Sequence, residues 1–259
     1  MVILFIFGFI LVVVGAIISG VNWKNMKKRR RILDTPTSRI SEAPGNGPVE
    51  LKGVIVPSEH GLIQTPFSGR PAVWARILVQ EWRSTGRSGY WATLIDETDQ
   101  RPFMIDDQSG QHARVEPMGA NIVVDAVNVA NSGTFNDANP YIKQFLAMRG
   151  ISTESWLGFN KRMKFDEQAL VPNSPIYAIG PSRREQSMGA DAYRGGSQLV
   201  MFAFPGELGE LILTNKTEDQ LVSKWFWTFT AGLICAGIGV FLGFGGVVLF
   251  VVDVLTSAP

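Results

Sequence analysis

Two histidines and one cysteine are the side chains of this sequence best suited to acid–base or nucleophilic chemistry. His60 lies in a predicted turn, Glu-His-Gly, and His112 lies on a predicted strand. Either could act as the general base of a hydrolase, because the members of a Ser-His-Asp triad meet in space and not in sequence. The sequence contains no G-x-S-x-G nucleophile motif, so a membrane-bound hydrolase that uses His60 or His112 is only an alternative hypothesis.

Metal and nucleotide chemistry also have few candidate residues. A zinc site needs several Cys, His or carboxylate ligands that converge, and this sequence has one Cys and two His. Asp106 and Asp107 form an acidic pair, but their spacing is not that of an EF-hand loop, and residues 106–110 predict a hairpin turn. There is no Walker loop. We therefore predict no catalytic residues, no metal ligands and no cofactor.

Two uncharged runs, residues 2–21 and residues 225–252, lie near the two ends of the sequence. Each is long enough to cross ~30 Å of hydrocarbon as a helix. The first run has no positive charge before it and only a poor cleavage site, which argues against a signal peptide. We predict transmembrane helices at 1–22 and 225–252, followed by a tail at 253–259.

A basic cluster follows the first run and begins a predicted juxtamembrane linker, residues 23–47. By the positive-inside rule, the cluster keeps the middle of the chain in the cytoplasm and places both termini outside, in a plasma (inner) membrane. It would also attract anionic lipid, whereas no nucleic-acid-binding module accompanies it. With the flanking tryptophans, the predicted membrane-interface residues are Trp23, Lys24, Lys27, Lys28, Arg29, Arg30, Arg31, Trp225 and Trp227.

Small residues recur every four positions in the second run and predict a helix-packing stripe. Such rows let helices approach closely. The first run has the pairs Gly15/Ser19 and Ala16/Gly20, so the stripe could join the two helices of one chain or two protomers. The lone cysteine fits a reducing compartment. The predicted helix-packing residues are Ala231, Cys235, Gly239 and Gly243.

Residues 48–224 show the alternation of half-buried strands, which predicts a β-rich domain. Residues 49–56 and 72–83 are its first two strands, joined by a turn-rich connection. A helix starts near Pro140 and ends near Gly150, and Thr217-Glu-Asp-Gln220 is a capping box for a helix that continues into the second apolar run. Further strands are predicted at 90–95, 101–105, 111–115, 122–129, 164–170, 175–179, 199–204 and 210–214. Residues 97–100 predict a polar connection, 183–197 a mobile loop and 205–209 a hairpin turn.

The predicted fold class is a membrane protein of the α+β type. Two transmembrane helices flank a β-rich soluble domain, barrel- or sandwich-like, with short helices.

Several short sequence blocks follow one another between the two apolar runs. In chain order they are Thr35-Pro-Thr-Ser-Arg-Ile40, VELKGVIV, Thr65-Pro-Phe-Ser-Gly-Arg-Pro71, Glu81-Trp82-Arg83, Ala113-Arg-Val-Glu-Pro117 with Gly119-Ala120, Phe165-Asp-Glu-Gln-Ala-Leu170, Pro175-Ile-Tyr-Ala-Ile-Gly180 and residues 211–224. This succession of blocks resembles the GIDE domain, also called BAM for beside-a-membrane. The resemblance covers most of residues 33–224 and implies a β-rich domain between two membrane spans.

The best-known members of that family are mitochondrial E3 ubiquitin ligases, whose activity belongs to a RING finger after the second span. A RING finger binds two zinc ions, and this sequence lacks the Cys and His residues to hold them. The resemblance thus implies a RING-less, prokaryotic-type relative. It departs from the family pattern at Asn173-Ser174, where Gly-Asp is usual.

Three functions remain open: a membrane-anchored, non-enzymatic scaffold, sensor or binding module, a ubiquitin-ligase-type enzyme by family resemblance, and the hydrolase above. The expected partners are membrane lipids and a protein partner or second copy, without nucleic acid.

Overall fold

The computed structural model describes residues 2–84, 86–132, 140–151, 161–186, 197–203 and 210–257. The chain forms two compact units. One contains Met1–Thr35 and Thr217–Pro259, and the other contains Pro36–Lys216. Two terminal helices and a β-rich domain between them in the chain confirm the coarse architecture predicted above.

The elements, in chain order, are α1 (Val2–Asp34), β1 (Asn46–Pro57), β2 (Ile63–Gln64), β3 (Pro71–Ala72), β4 (Trp74–Ser84), β5 (Gly89–Gln100), β6 (Phe103–Asp106), β7 (His112–Val115), β8 (Asn121–Val123), β9 (Val127–Ser132), α2 (Pro140–Ala147), β10 (Met163–Leu170), β11 (Pro175–Gln186), β12 (Ser197–Met201), β13 (Ile212–Thr214) and α3 (Glu218–Ser257).

Five strands close into a barrel in the order β1-β6-β7-β12-β11, with β11 pairing back to β1. The contact between β7 and β12 is parallel and the others are antiparallel. Counted along the chain, the order is first, second, third, fifth, fourth and back to first, the Greek-key arrangement of OB-fold barrels. Alternate residues fill the barrel, because successive side chains of a strand point to opposite faces. They include Val49, Leu51, Ile55, Phe103, Ile105, Ala113, Val115, Ala178, Leu199 and Met201.

A second sheet has the strand order β5-β4-β10-β9. Two of its strands lie in the chain between β1 and β6 of the barrel, and the other two lie between β7 and β11. One face of this sheet packs against α2. The core between them consists of Phe67, Ile77, Val79, Ile95, Ile142, Phe145, Leu146, Met163 and Phe165.

The structure places several predicted segments differently. The strands at 49–56 and 72–83 belong to different sheets. Residues 97–100 continue β5, because an edge strand can expose its charged side chains to solvent. The strand predicted at 122–129 is interrupted because Val124 turns into the barrel core and its carbonyl accepts a hydrogen bond from Gln168.

The prediction that the strands at 199–204 and 210–214 form a hairpin is wrong, and its turn residues, 205–209, lie outside the described part of the chain. Strands β12 and β13 run in the same direction along successive stretches of β11 and do not pair with each other. Between them, Leu211 packs on Gly180, where an added Cβ would lie 2.9 Å from the Leu211 Cα. The predicted loop at 183–197 begins as strand, because β11 continues to Gln186, and residues 187–196 lie outside the described part.

The predicted linker at 23–47 is structured in the described chain. Helix α1 continues to Asp34, and residues 36–43 pack against the barrel. Helix α3 begins at Glu218, which lies inside residues 48–224, the predicted extent of the β-rich domain. Its capping box is confirmed: Gln220 N–H donates to Thr217 Oγ1, and Thr217 N–H donates to Gln220 Oε1, both at 3.4 Å.

Candidate functional site

The two terminal helices contain stretches long and apolar enough to cross a membrane, Ile6–Trp23 and Phe226–Val248. They pack against each other in antiparallel fashion. Near one end, the ring centroids of Trp23 and Phe229 are 6.2 Å apart, while Gly8 meets Gly239 farther along the pair. The C-terminal end of α1 and the N-terminal end of α3 therefore lie side by side.

Backbone meets backbone where the helices cross. A Cβ added at Gly239 would lie 2.6 Å from the Gly8 carbonyl oxygen and 2.7 Å from the Val12 nitrogen. A Cβ at Gly15 would lie 2.6 Å from both the Gly232 oxygen and the Ala236 nitrogen. Only glycine permits such an approach.

The predicted packing stripe is rotated relative to this contact. Gly239 lies in the contact between the two helices. The backbone of Gly243 is beside Gly8, although a Cβ added to Gly243 would meet nothing within 4 Å. Ala231 is exposed and Cys235 is half-buried, so they flank the face that touches α1. The facing residues of α3 are Gly232, Ala236 and Gly239, which lie three to four positions apart.

The predicted interface tryptophans Trp23 and Trp227 are both exposed. Phe226 packs beside Trp227, with ring centroids 5.9 Å apart. The side chains of Trp225 and of the basic residues from Lys24 to Arg31 lie outside the described ones, although their backbone is helical.

Glu167 is the most enclosed acidic group described in the β-rich domain, with no exposed surface. Its Oε2 accepts hydrogen bonds from the N–H groups of Phe67 and Ser68 at 3.1 and 3.2 Å. Its Oε1 accepts a hydrogen bond from the Ser68 hydroxyl and lies 3.7 Å from an Arg70 nitrogen. This carboxylate therefore holds the loop between β2 and β3, and the loop inserts Phe67 between Phe145 and Phe165.

Glu50 is a second buried carboxylate, on the outer face of the barrel. The Tyr177 hydroxyl donates to its Oε2 at 2.8 Å, the Thr37 hydroxyl donates to its Oε1, and Lys52 Nζ lies 3.3 Å away. The sequence analysis identified neither carboxylate, because the donors that hold each of them come from distant segments of the chain.

The segment from Pro36 to Ala43 closes one part of the barrel with Ile40, which is fully buried. The Ile40 N–H donates to Asp107 Oδ2 at 2.7 Å, and Arg184 donates to the carbonyl oxygens of Ile40 and Ala43 at 3.1 Å. Partial burial opposes ionisation of Asp107, but hydrogen bonds from the Ser109 hydroxyl and from backbone N–H groups outweigh it and lower the pKa of this carboxyl.

The two histidines lie at separate, exposed positions. His60 is exposed in a turn, where its backbone N–H donates to Ser58 Oγ at 3.3 Å. His112 is exposed on β7, and its Nε2 is 3.8 Å from Asp106, the other acid of the turn. Among the described residues, no three His, Cys, Asp or Glu side chains are grouped so that they could hold a metal ion.

A polar cleft of about 540 Å³ opens on the face of the second sheet that is turned away from α2. Arg76 and Asp96 line the cleft as a bidentate pair: Arg76 Nε donates to Asp96 Oδ1 at 2.7 Å and Arg76 Nη2 donates to Asp96 Oδ2 at 2.8 Å. These hydrogen bonds from Arg76 lower the pKa of Asp96. Gln100, Asn121 and Gln168 also line the cleft. Its walls offer hydrogen-bonding groups.

No family model matches the chain, and no curated protein and no solved structure matches it significantly.

Proposed function

We propose that this protein is an integral membrane protein whose β-rich domain acts beside the bilayer as a non-enzymatic binding, scaffold or sensor module. The observation that carries the proposal is the apolar surface of the two helices. Phe9, Phe241 and Phe244 are 64%, 79% and 72% exposed. Apolar surface of this extent is costly in water and is solvated by lipid tails.

The orientation belongs to the proposal as well. The basic residues after the first apolar stretch support a domain in the cytoplasm and both termini outside, in a plasma (inner) membrane of a prokaryotic cell. Membership of the GIDE/BAM family, as a RING-less relative, rests on the order of the sequence blocks.

Extraction and topology experiments test the anchoring. The chain should stay with membranes after alkaline carbonate washing. An epitope tag inserted at His60, in an exposed turn, should be protected from protease in intact cells. A tag after Pro259 should be cleaved. Release by carbonate would overturn the membrane proposal, and a protease-sensitive tag at His60 would reverse the orientation.

The binding role centres on the polar cleft. A photo-crosslinking residue at Gln100, which lines it, should give a discrete adduct in membranes, and the adduct should weaken in Arg76→Ala. The same crosslinker at the exposed Glu59 is the control. Identical adduct patterns at the two positions would contradict a role for the cleft.

A further inference from the structure

The turn end of the β4–β5 hairpin carries a concentrated set of aromatic and cationic side chains. Trp82 and Trp91 are cross-strand neighbours whose ring centroids are 5.4 Å apart in an edge-to-face arrangement. Arg162, just before β10, lies over both rings, at 5.4 and 5.6 Å from their centroids. Lys164 lies 4.2 Å from the centroid of Trp91. We call the following set the hairpin patch: Trp82, Trp91, Arg162 and Lys164, which share one face of the sheet, and Arg87 of the turn.

The sequence builds this patch through one close approach. Trp82 lies on the backbone of Gly89, where an added Cβ would be 2.4 Å from the indole Cζ2. The backbone N–H of Trp82 donates to the backbone carbonyl of Arg162 at 2.8 Å, which brings the start of β10 beside the hairpin. Aromatic cross-strand packing of this kind stabilises the end of a two-stranded ribbon.

The patch has a strong excess of positive charge. On the opposite face of the sheet, Glu81 pairs with Arg83 at 3.3 Å and with Lys161 at 3.6 Å. Within the described part of the chain, no carboxylate lies within ion-pair distance, 4.0 Å, of Arg87, Arg162 or Lys164. The cations are thus available to an external anion.

The ring geometry distinguishes between kinds of anionic partner. Nucleobases bind by stacking on free aromatic faces. Here Gly89 lies beneath Trp82, and Arg162 and Lys164 lie over the rings. Stacking a base would require the cations to be displaced, whereas contact with an anionic surface uses them where they are.

We propose that the hairpin patch binds anionic lipid headgroups, so that the domain makes a membrane contact additional to its two helices. This inference rests on the proposed function, because a membrane-anchored domain is the one to which lipid headgroups are continuously available. Arginine and lysine supply the attraction to lipid phosphates, while tryptophan suits the interfacial layer.

The test uses the full chain in nanodiscs of phosphatidylcholine alone or with phosphatidylglycerol. Hydrogen exchange of residues 83–90 is followed by mass spectrometry. We expect slower exchange in the anionic discs. Arg162→Gln should weaken this lipid-dependent protection about fivefold, because each cation near an anionic surface contributes about that factor. Arg162→Gln/Lys164→Gln should remove most of it.

Arg39→Gln is the matched control, since Arg39 is an exposed arginine of the same domain outside the patch, and it should leave the protection unchanged. Exchange of β10 should not change in any variant, which shows that the sheet remains folded. Equal exchange in neutral and anionic discs would overturn the inference. Protection by a soluble oligonucleotide or polyglutamate, but not by anionic discs, would overturn it in favour of a soluble acidic partner. Failure of the proposed function is distinct, because the chain would then be released by carbonate.

Discussion

Glu167 allows a quantitative test of how the second sheet is held together. This carboxylate has no exposed surface and accepts hydrogen bonds from the Phe67 N–H, the Ser68 N–H and the Ser68 hydroxyl. Glu167→Ala removes both acceptor oxygens and leaves the backbone N–H groups of Phe67 and Ser68 without acceptors, while the Ser68 hydroxyl keeps its hydrogen bond with Thr65 Oγ1 at 2.8 Å. A buried unsatisfied donor costs about 1–3 kcal/mol. Because Ser68 is exposed and water can reach its groups, we expect a total loss of about 3–5 kcal/mol.

Glu167→Gln should cost less. Its amide oxygen can accept from the two backbone N–H groups, and the Ser68 hydroxyl can rotate to accept from the amide NH₂. What is lost is mainly the charge on the acceptor, which makes hydrogen bonds stronger by about 1–2 kcal/mol in total. The expected order of stability is therefore parent, then Gln, then Ala.

The assay is denaturant unfolding of the full chain in detergent, followed by fluorescence, together with hydrogen exchange of the Phe67 and Ser68 amides. Both amides should lose protection in Glu167→Ala. Glu59→Ala, at an exposed turn, is the matched control and should change stability by less than about 0.5 kcal/mol. If Glu167→Ala unfolds within that same range of the parent, the carboxylate does not hold the loop and the reasoning is refuted.

Three further predictions concern the helix pair and the barrel. Gly239→Ala should weaken the association of α1 and α3 by about 1–3 kcal/mol, because the added Cβ would meet the backbone of α1. Gly237→Ala should not weaken it, because a Cβ at that position has no atom within 4 Å. Equal effects of the two substitutions in an unfolding titration would contradict the close contact at Gly239. Ser19→Ala should stabilise the pair by up to about 1 kcal/mol in the same titration, because the Ser19 hydroxyl is buried without a hydrogen-bond partner among the described atoms. The pKa of Asp107 is lowered in the folded state, so its contribution is present above the unfolded pKa of about 4 and lost as pH falls through the folded pKa. The stability difference between the parent and Asp107→Asn should therefore narrow below pH ~4, and a constant difference in pH-dependent unfolding would contradict this.

Local patterns predicted the elements whose cause is local. The capping box at Thr217 and Gln220 formed as expected, because both partners lie within one helical turn. The turn at 106–110 also formed, with positive φ at Gln108 and Gly110. Strands such as β4 and β10 were predicted because buried residues alternate with more exposed ones along each strand. The acidic end of β5 was not, because an edge strand has no apolar row to reveal it.

The candidate site could be predicted only in part. The apolar helices were identified by hydropathy, but the contact face was displaced toward Gly232 and Ala236. A repeat of small residues identifies a stripe, while the crossing angle and depth of two helices decide which of its neighbours is touched. The hairpin patch was missed because Trp82 and Trp91 join Arg162 only across paired strands.

The sequence by itself determined what depends on neighbours a few positions apart: two apolar helices, the alternation of strands, a cap and a turn. The tertiary structure alone decided what depends on distant partners. Barrel closure pairs Leu51 with Ala178, and the burial of Glu167 needs Phe67 and Ser68 from another segment. The physical reason is that strand periodicity identifies which face is buried but not which strand lies beside it, and a buried carboxylate is stable only when donors from elsewhere in the chain reach it.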